Sequence, residues 1–411
     1  MKVLHVNYTD KGGAFIALKR VDEALKFNFS EEYSSCYLIV NPAGSICLNY
    51  VTPIKSTLDK LISFLRPRIV RMLTSIIFKS DGKATESYNI LRSRKIIKFI
   101  NNSDFDVVHL HWIGGETISI KDFNRIKKPI VWTLHDSWPY LGRHHFQIFN
   151  NSDITNKAID NYLKNVKRRA WKNLGMEIIC VSDCLKKEVD NSEIFIGNNV
   201  IKIHNSINTD YWQPIELELA RNLLNLSKEK TYLTLGAVNP TSDIRKGFSL
   251  LTEAIKLIPS EMNNNIEILM FGTCGDDIVL SGIKTKFMGE ISDELVLKIL
   301  FAASDVILVP SYYESFGQTA LEGISMEKPV VCFDSSGTVE IIKHLENGYV
   351  AKSFCPDDFA KGIIWAINNS KTLKIKQSSR RYAVNKFDYR EISAQYLDVY
   401  NKVVSKSKIH E

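Results

Sequence analysis

Residues 306 to 332 read VILVPSYYESFGQTALEGISMEKPVVC. The apolar run from Val306 to Val309 stops at Pro310, which predicts a buried strand closed by a proline. A polar, aromatic loop follows, then a helical pattern over 317–326, and Pro329 leads into a second apolar strand over 330–333. Strand, loop, helix and strand in this order form one unit of an open parallel sheet, whose ligands bind at the carboxyl ends of the strands. Residues Gly317 to Ala320 open the helix, so their N–H groups lack intrahelical partners and the helix dipole favours an anion there. Glu322, about one turn in, can accept two hydrogen bonds from a vicinal diol such as a ribose. Glu314, before the turn, would face whatever the phosphate carries. A structural reading competes: Thr319 and Glu322 fit a T-x-x-E capping box, in which Glu322 only satisfies an orphan N–H.

The 411 residues suggest two or three domains. With 45% hydrophobic and 24% charged residues the composition is that of a globular protein with a full core. Met1-Lys-Val-Leu-His-Val alternates and turns polar at once, so it reads as a first strand rather than a signal peptide. No apolar run approaches the roughly 18 residues of a spanning helix. Seven scattered cysteines without a C-x-x-C support neither a disulfide framework nor a zinc site, which points to a cytoplasmic protein. The net charge of +7 is too mild to argue for nucleic acid. The excess is uneven, however. Between Lys55 and Lys79 six basic residues stand against one acid, Asp59, a local +5. That segment, LDKLISFLRPRIVRMLTSIIF over 58–78, is an amphipathic basic helical pattern broken near Pro67. It reads as an element for an anionic membrane surface, or as a helical hairpin packed on the first sheet.

Before this segment, a first strand over 2–7 leads to Lys11-Gly12-Gly13 and a helical pattern over 14–26. A glycine pair at a βα turn lets backbone approach a phosphate, although a tight turn needs glycine anyway. Strands over 107–110 and 130–133 each deliver an imidazole beside a tryptophan: His111-Trp112-Ile113-Gly114-Gly115, and His135 before Trp138. Two such histidines suggest a polar pocket wall. A charged helix over 216–229 reads as the join between two domains. Beyond the strand over 231–235 stand Arg245, Lys246 and Gly247, a guanidinium fork and a point charge suited to a diphosphate, or simply an exposed turn. Asp276-Asp277 is not a D-x-D metal site.

The Glu314-x7-Glu322 pair, with Ser-Phe-Gly inside it and Lys-Pro-Val-Val behind it, resembles the donor motif of retaining family 4 glycosyltransferases of the GT-B fold. Glu327 and Gly323 depart from that pattern, where Gly and Ala are usual. Val131-Trp-Thr-Leu-His-Asp-Ser-Trp-Pro is similar to the subset that builds bacterial exopolysaccharides of the colanic-acid type, with Arg143 and His144 as departures. Ile201 to Pro214 resembles the signature that ends the first domain, with Ser206 in place of Gly, and 287–290 resembles the loop that grips the base. Ala237 stands where many members carry Arg, and Arg245 is a candidate for its task.

The resemblance covers nearly the whole chain. It implies an α/β protein of two Rossmann-like domains facing across a cleft: 1–208 for the acceptor, a linker over 209–230, 231–385 for the nucleotide-sugar, and a last helix over 386–411 returning to the first domain. It implies transfer of a hexosyl unit from a UDP- or GDP-linked sugar to a growing, lipid-linked surface polysaccharide, with retention, at the inner face of the cytoplasmic membrane. No cofactor and no metal are expected. His135 and Glu314 would act at the reacting sugar. Gly12, Gly13, Arg245, Lys246, Phe316, Gly317, Gln318, Thr319 and Glu322 would hold the donor. Another GT-B enzyme, such as a sugar-nucleotide epimerase or phosphorylase, would share the sheets, and so would a non-catalytic GT-B subunit, which would lack the phosphate cations.

Overall fold

The computed structural model describes residues 1–43, 50–54, 56–78, 86–146, 157–236 and 241–409. Lys55, Lys79 and Ala237, singled out above, lie outside them. The chain divides into two compact units, Met1–His204 with Arg390–Glu411, and Asn205–Tyr389.

The first unit is built from β1 (Lys2–Asn7), α1 (Gly13–Asn28), β2 (Ser34–Ile39), β3 (Tyr50–Val51), α2 (Thr57–Phe78), α3 (Arg94–Asn102), β4 (Val107–Leu110), β5 (Ile130–Leu134), α4 (Lys157–Trp171), β6 (Glu177–Cys180), α5 (Asp183–Asn191) and β7 (Asn199–Lys202). Among the described residues its strands lie in the order β3-β2-β1-β4-β5-β6-β7, all parallel. Strands β4, β5 and β6 are buried at every residue, as a sheet covered on both faces requires. From β1 the sheet adds β2 and β3 on one side and then β4 on the other, so the switch point falls between β1 and β4.

The second unit comprises α6 (Leu217–Leu223), β8 (Thr231–Gly236), α7 (Phe248–Ile255), α8 (Ser260–Asn263), β9 (Ile266–Phe271), β10 (Ile278–Leu280), β11 (Ile283–Phe287), α9 (Glu294–Ala303), β12 (Val306–Val309), α10 (Gln318–Ser325), β13 (Val330–Phe333), β14 (Gly348–Ala351), α11 (Pro356–Asn369) and α12 (Leu373–Phe387). The order β10-β11-β9-β8-β12-β13-β14 is parallel except for the β10–β11 hairpin. Here the switch point lies between β8 and β12. The fold is thus two Rossmann-like α/β units, as expected.

Each unit has its own core. In the second, Leu233, Leu235, Ile268, Met270, Val306, Leu308 and Val331 of the sheet pack with Leu251, Phe359 and Ile363 of the helices. In the first, Val3, Val107, Val131 and Ile179 pack with Val21 and Leu25 of α1, and with Ile392, Tyr396, Tyr400 and Val403 of the last helix, α13 (Tyr389–Ile409). Each such side chain contributes about 1.5–3 kcal/mol when fully buried. The chain therefore ends by completing the core with which it began.

Two expectations change. The pattern over 58–78 is one continuous helix through Pro67, not a broken one. Proline removes one N–H there, and the Arg71 side chain donates to the Pro67 carbonyl at 3.2 Å. The charged helix expected over 216–229 stops at Leu223. Its Arg221 is buried, bonding Asp305 at 2.6 Å and the Ala303 carbonyl at 3.1 Å, so this segment is packed into the second unit rather than free to act as a join.

Candidate active site

In the second unit the loops after β8 and β12 meet at the switch point, where open α/β sheets bind ligands. The Tyr312 N–H donates to the Arg245 carbonyl at 2.7 Å. The short turn Ile244–Lys246 ends at Gly247, whose φ is +67°; a Cβ there would lie 1.8 Å from the Pro310 carbonyl oxygen. Glycine is thus required both by its backbone angle and by the close approach of β12.

This contact brings Lys246 and Glu314 together. The ammonium lies 2.7 Å from Glu314 Oε1, and Ser311 Oγ donates to the same oxygen at 2.8 Å. Burial pushes the Glu314 carboxyl up, but Lys246, with Ser311 and Arg245, outweighs that and holds it below the ordinary glutamate value. Arg245 is gripped by Asp243 on its own turn, at 2.9 Å from Nε to Oδ1 and 2.5 Å from Nη2 to Oδ2. Both predicted cations are therefore matched by carboxylates, and Ser311 and Asp243 are partners that sequence reasoning missed. Both stand within three residues of a charge already singled out, which is the signal that was available.

Helix α10 begins as expected at the end of this loop, with Gly317 as N-cap at φ +106°. A Cβ on Gly317 would lie 2.8 Å from Thr338 Oγ1, a buried hydroxyl with no protein partner. Gly317 bonds back only through its carbonyl, to Ala320 and Leu321 N–H at 3.0 and 3.1 Å, so Gln318 and Thr319 occupy the first turn. The capping-box reading fails. With Gly317 at the cap, Thr319 is the second helical residue and Glu322 the fifth, outside the spacing such a box needs. Glu322 is 5% exposed, on the buried face of the helix. Phe316 is a correction of another kind: its ring is 3% exposed and packs edge-on against Phe387 at 5.7 Å, so any ligand contact there is left to its backbone.

In the first unit, Gly12 caps α1 at φ +86°, and a Cβ on Gly12 or Gly13 would meet nothing within 4 Å. His135 follows β5 and is part-buried, bonding His111 at 3.1 Å from Nε2 to Nδ1. His111 in turn bonds His5, 3.0 Å from its Nε2 to Nδ1 of that ring. His5 and His109 are register partners on β1 and β4, and His109 and His111 lie two apart on one face, with ring centroids 4.0 Å apart. The two-residue spacing and the first strand's alternation could have flagged this cluster; only His111 and His135 were read. Burial drives all four below the ordinary histidine value, His5 and His135 to about 4. Among the described residues His5, His109 and His111 form the one group with metal-ligand chemistry. Each of their ring nitrogens already has a hydrogen-bond partner, however, with Tyr400 and Thr133 taking the two of His109. The cluster fits a hydrogen-bonded network better than an ion.

Two family models match, one to each unit for most of its length. That for "Glycosyltransferase Family 4" covers residues 65–211, and that for "Glycosyl transferases group 1" covers residues 218–383. The chain is a glycosyltransferase of the GT-B type. It is 28% identical over 237 residues to an uncharacterized glycosyltransferase of Methanocaldococcus jannaschii, covering 54% of this chain and 59% of that one, so it spans about three fifths of that relative. It is 24% identical over 369 residues to the phosphatidyl-myo-inositol mannosyltransferase of Mycobacterium tuberculosis, covering 84% and 89%. Among solved structures, Anabaena HepE in complex with UDP and glucose shares the fold, with a TM-score of 0.64 at 15% identity over 98% and 100% of the two chains.

In this glycosyltransferase the departures Arg143 and His144 differ in place. Arg143 is buried in an ion pair with Glu86 at 3.0 Å and lies 3.4 Å from Asp160. His145 binds Asp136 at 2.6 Å and Ser87 at 2.7 Å, and Asp136 also accepts from Trp112 at 2.6 Å. Arg143 is thus part of the packing that holds the His135–Asp136 turn, while His144 lies part-exposed beside Asp160.

Proposed function

We propose that this glycosyltransferase moves a hexosyl unit, with retention of configuration, from a nucleoside-diphosphate sugar to a lipid-linked surface polysaccharide. The observation that carries the donor half is the Lys246–Glu314 pair at the switch point, beside the open first turn of α10. An ammonium has three donors and Glu314 uses one, which leaves two for a diphosphate. Lys246 and Arg245 stabilise the leaving diphosphate in the role a metal plays elsewhere. Glu314, held ionised, accepts from sugar hydroxyls. Glu322 accepts from the ribose diol and Gly317 to Thr319 supply backbone donors; in the first unit, His135 acts at the reacting sugar and Gly12 and Gly13 bind the donor.

The acceptor half is supported by α2 and by the phosphatidyl-inositol named in the mycobacterial relative. Leu58, Leu61, Ile62, Phe64, Ile69, Met72 and Ile76 of α2 are all exposed, Ile76 at 71%, beside the exposed Arg68, whose guanidinium lies 3.5 Å from the centroid of the Phe64 ring. So much bare apolar surface marks an interaction face, and interleaved cations suit anionic lipid. Among the described residues no helix is long and apolar enough to cross a membrane.

The donor reading is tested by thermal shift with UDP, GDP and ADP. A saturating nucleotide at about 100 times its Kd adds roughly 2.7 kcal/mol. One of the uridine or guanosine diphosphates should raise the melting temperature of the wild type and not of Lys246→Met. An equal rise in both would refute the site.

A further inference from the structure

We propose that Asp22, Tyr33, His5 and His111 form a directional hydrogen-bond relay that fixes His135 in its Nε2–H tautomer and leaves Nδ1 as a bare acceptor. The relay rests on the reading of His135 as a substrate-facing residue only for its purpose, not for its existence.

The direction follows from counting protons. Asp22, on α1, lies fully inside the first unit and receives four donors: Lys26 at 2.7 Å, Tyr33 at 2.7 Å, Ser35 at 2.5 Å, and Tyr37. An ammonium has no lone pair to give, and four donors leave Asp22 no role but that of acceptor. The Tyr33 proton is therefore committed to Asp22. Its oxygen, 2.8 Å from His5 Nε2, can then only accept, so His5 carries its proton on Nε2. His5 Nδ1 is left as a lone pair and must accept from His111 Nε2 at 3.0 Å. By the same step His111 Nδ1 accepts from His135 Nε2 at 3.1 Å. A neutral imidazole has one proton, so His135 Nδ1 is unprotonated, and among the described residues it has no partner.

Each ring is thus set by the next, back to one carboxylate two strands away. The arrangement generalises the logic of a carboxylate that orients a single histidine, in which the carboxylate fixes the tautomer without taking the proton. Tyr33, His5, His111 and Asp22 touch no substrate and are positioning residues. Strand β1 supplies His5, β4 with its following loop supplies His111, and β5 delivers His135, so the relay runs across the sheet through its switch point. Reversing it would need every proton in the chain to change partner at once, with Asp22 losing a donor.

The test uses the full chain with 15N-labelled histidine and long-range 1H–15N correlation, which tells the tautomers apart; His135→Gln assigns the resonance. In the wild type near neutral pH, His135, His111 and His5 should each show Nε2–H and a bare Nδ1. Tyr33→Phe removes the one O–H that sets the direction, and His135 should then show both tautomers. Tyr37→Phe removes a donor to the other oxygen of Asp22, outside the chain, and should leave the single tautomer in place, which separates the relay from loose packing. A wild-type His135 protonated on Nδ1 overturns the relay, with no variant needed. So does a single unchanged tautomer in Tyr33→Phe. Release of nucleoside diphosphate from UDP-glucose and GDP-mannose gives the separate readout. If His135→Gln keeps full turnover while the tautomer pattern is as stated, the substrate-facing role of His135 fails and the relay stands. If turnover is lost but Tyr33→Phe keeps the wild-type tautomer, the relay fails and that role stands.

Discussion

Lowering the pH below about 6.5 should progressively destabilise the first unit, because His5, His109 and His111 are buried and His135 part-buried as neutral rings. His5 and His135 take a proton near 6.5 when exposed and only near 4 in the folded protein, burial being the main cause in both. Between those values the unfolded chain holds more protons than the native one. The stabilising difference is therefore complete above about pH 6.5 and is lost as pH falls towards 4. At about 1.4 kcal/mol per pH unit, each ring loses about 3 kcal/mol over that window, or about 6 kcal/mol for the two. His109 and His111 act in the same direction. A domain is stable by only about 5–15 kcal/mol, so the loss is comparable to the whole. Urea titrations followed by tryptophan fluorescence suit the measurement, since Trp112, Trp132, Trp138 and Trp171 lie in the first unit and only Trp212 and Trp365 in the second. The midpoint should fall steeply between pH 6.5 and 4.5, and His135→Gln should reduce the slope by about one proton. A midpoint that stays level from pH 7.5 to 5 would show that these rings are solvated, and the burial argument would be wrong.

Glu322→Gln should lower nucleoside-diphosphate affinity by about 1.5–3 kcal/mol in a calorimetric titration while barely moving the melting temperature, since Gln keeps the size of the side chain and a carbonyl acceptor. A variant that binds normally but melts early would give Glu322 a packing role. Lys246→Ala should also cost stability, about 1.5–3 kcal/mol as for a hydrogen bond to a charged group, because Glu314 is left without its cation; an unchanged urea midpoint would count against the pair. Gly247→Ala should destabilise the second unit by more than about 1 kcal/mol, given its positive φ and the Pro310 carbonyl, and a neutral result in a thermal melt would contradict that geometry. Arg68→Glu with Ile76→Glu should abolish co-sedimentation with anionic vesicles; Arg66 is left alone because its side chain holds the Leu91 carbonyl at 2.8 Å. Binding that survives the double change places the membrane contact elsewhere.

Much of the architecture was legible in local pattern. Parallel strands buried on both faces are continuous apolar runs, and such runs mark β4, β5, β12 and β13 within a residue. The glycine after Arg245-Lys246 and the E-x7-E spacing are also local facts, and they located the two loops that meet at the second switch point. What stayed hidden depends on partners far apart in the chain. Nothing near residue 314 shows that Lys246, 68 residues earlier, would pair with Glu314, because that contact exists only once β8 and β12 lie side by side. The capping box looked sound because motif spacing says nothing about where a helix starts; the left-handed Gly317, set by the tight packing against Thr338, moved the cap two residues back. Asp22 and Tyr33 are unremarkable in sequence, since a buried polar group takes its meaning from the partner that satisfies it. Strand order β2-β1-β4-β5 brings those partners together, and strand order is a property of the folded sheet alone.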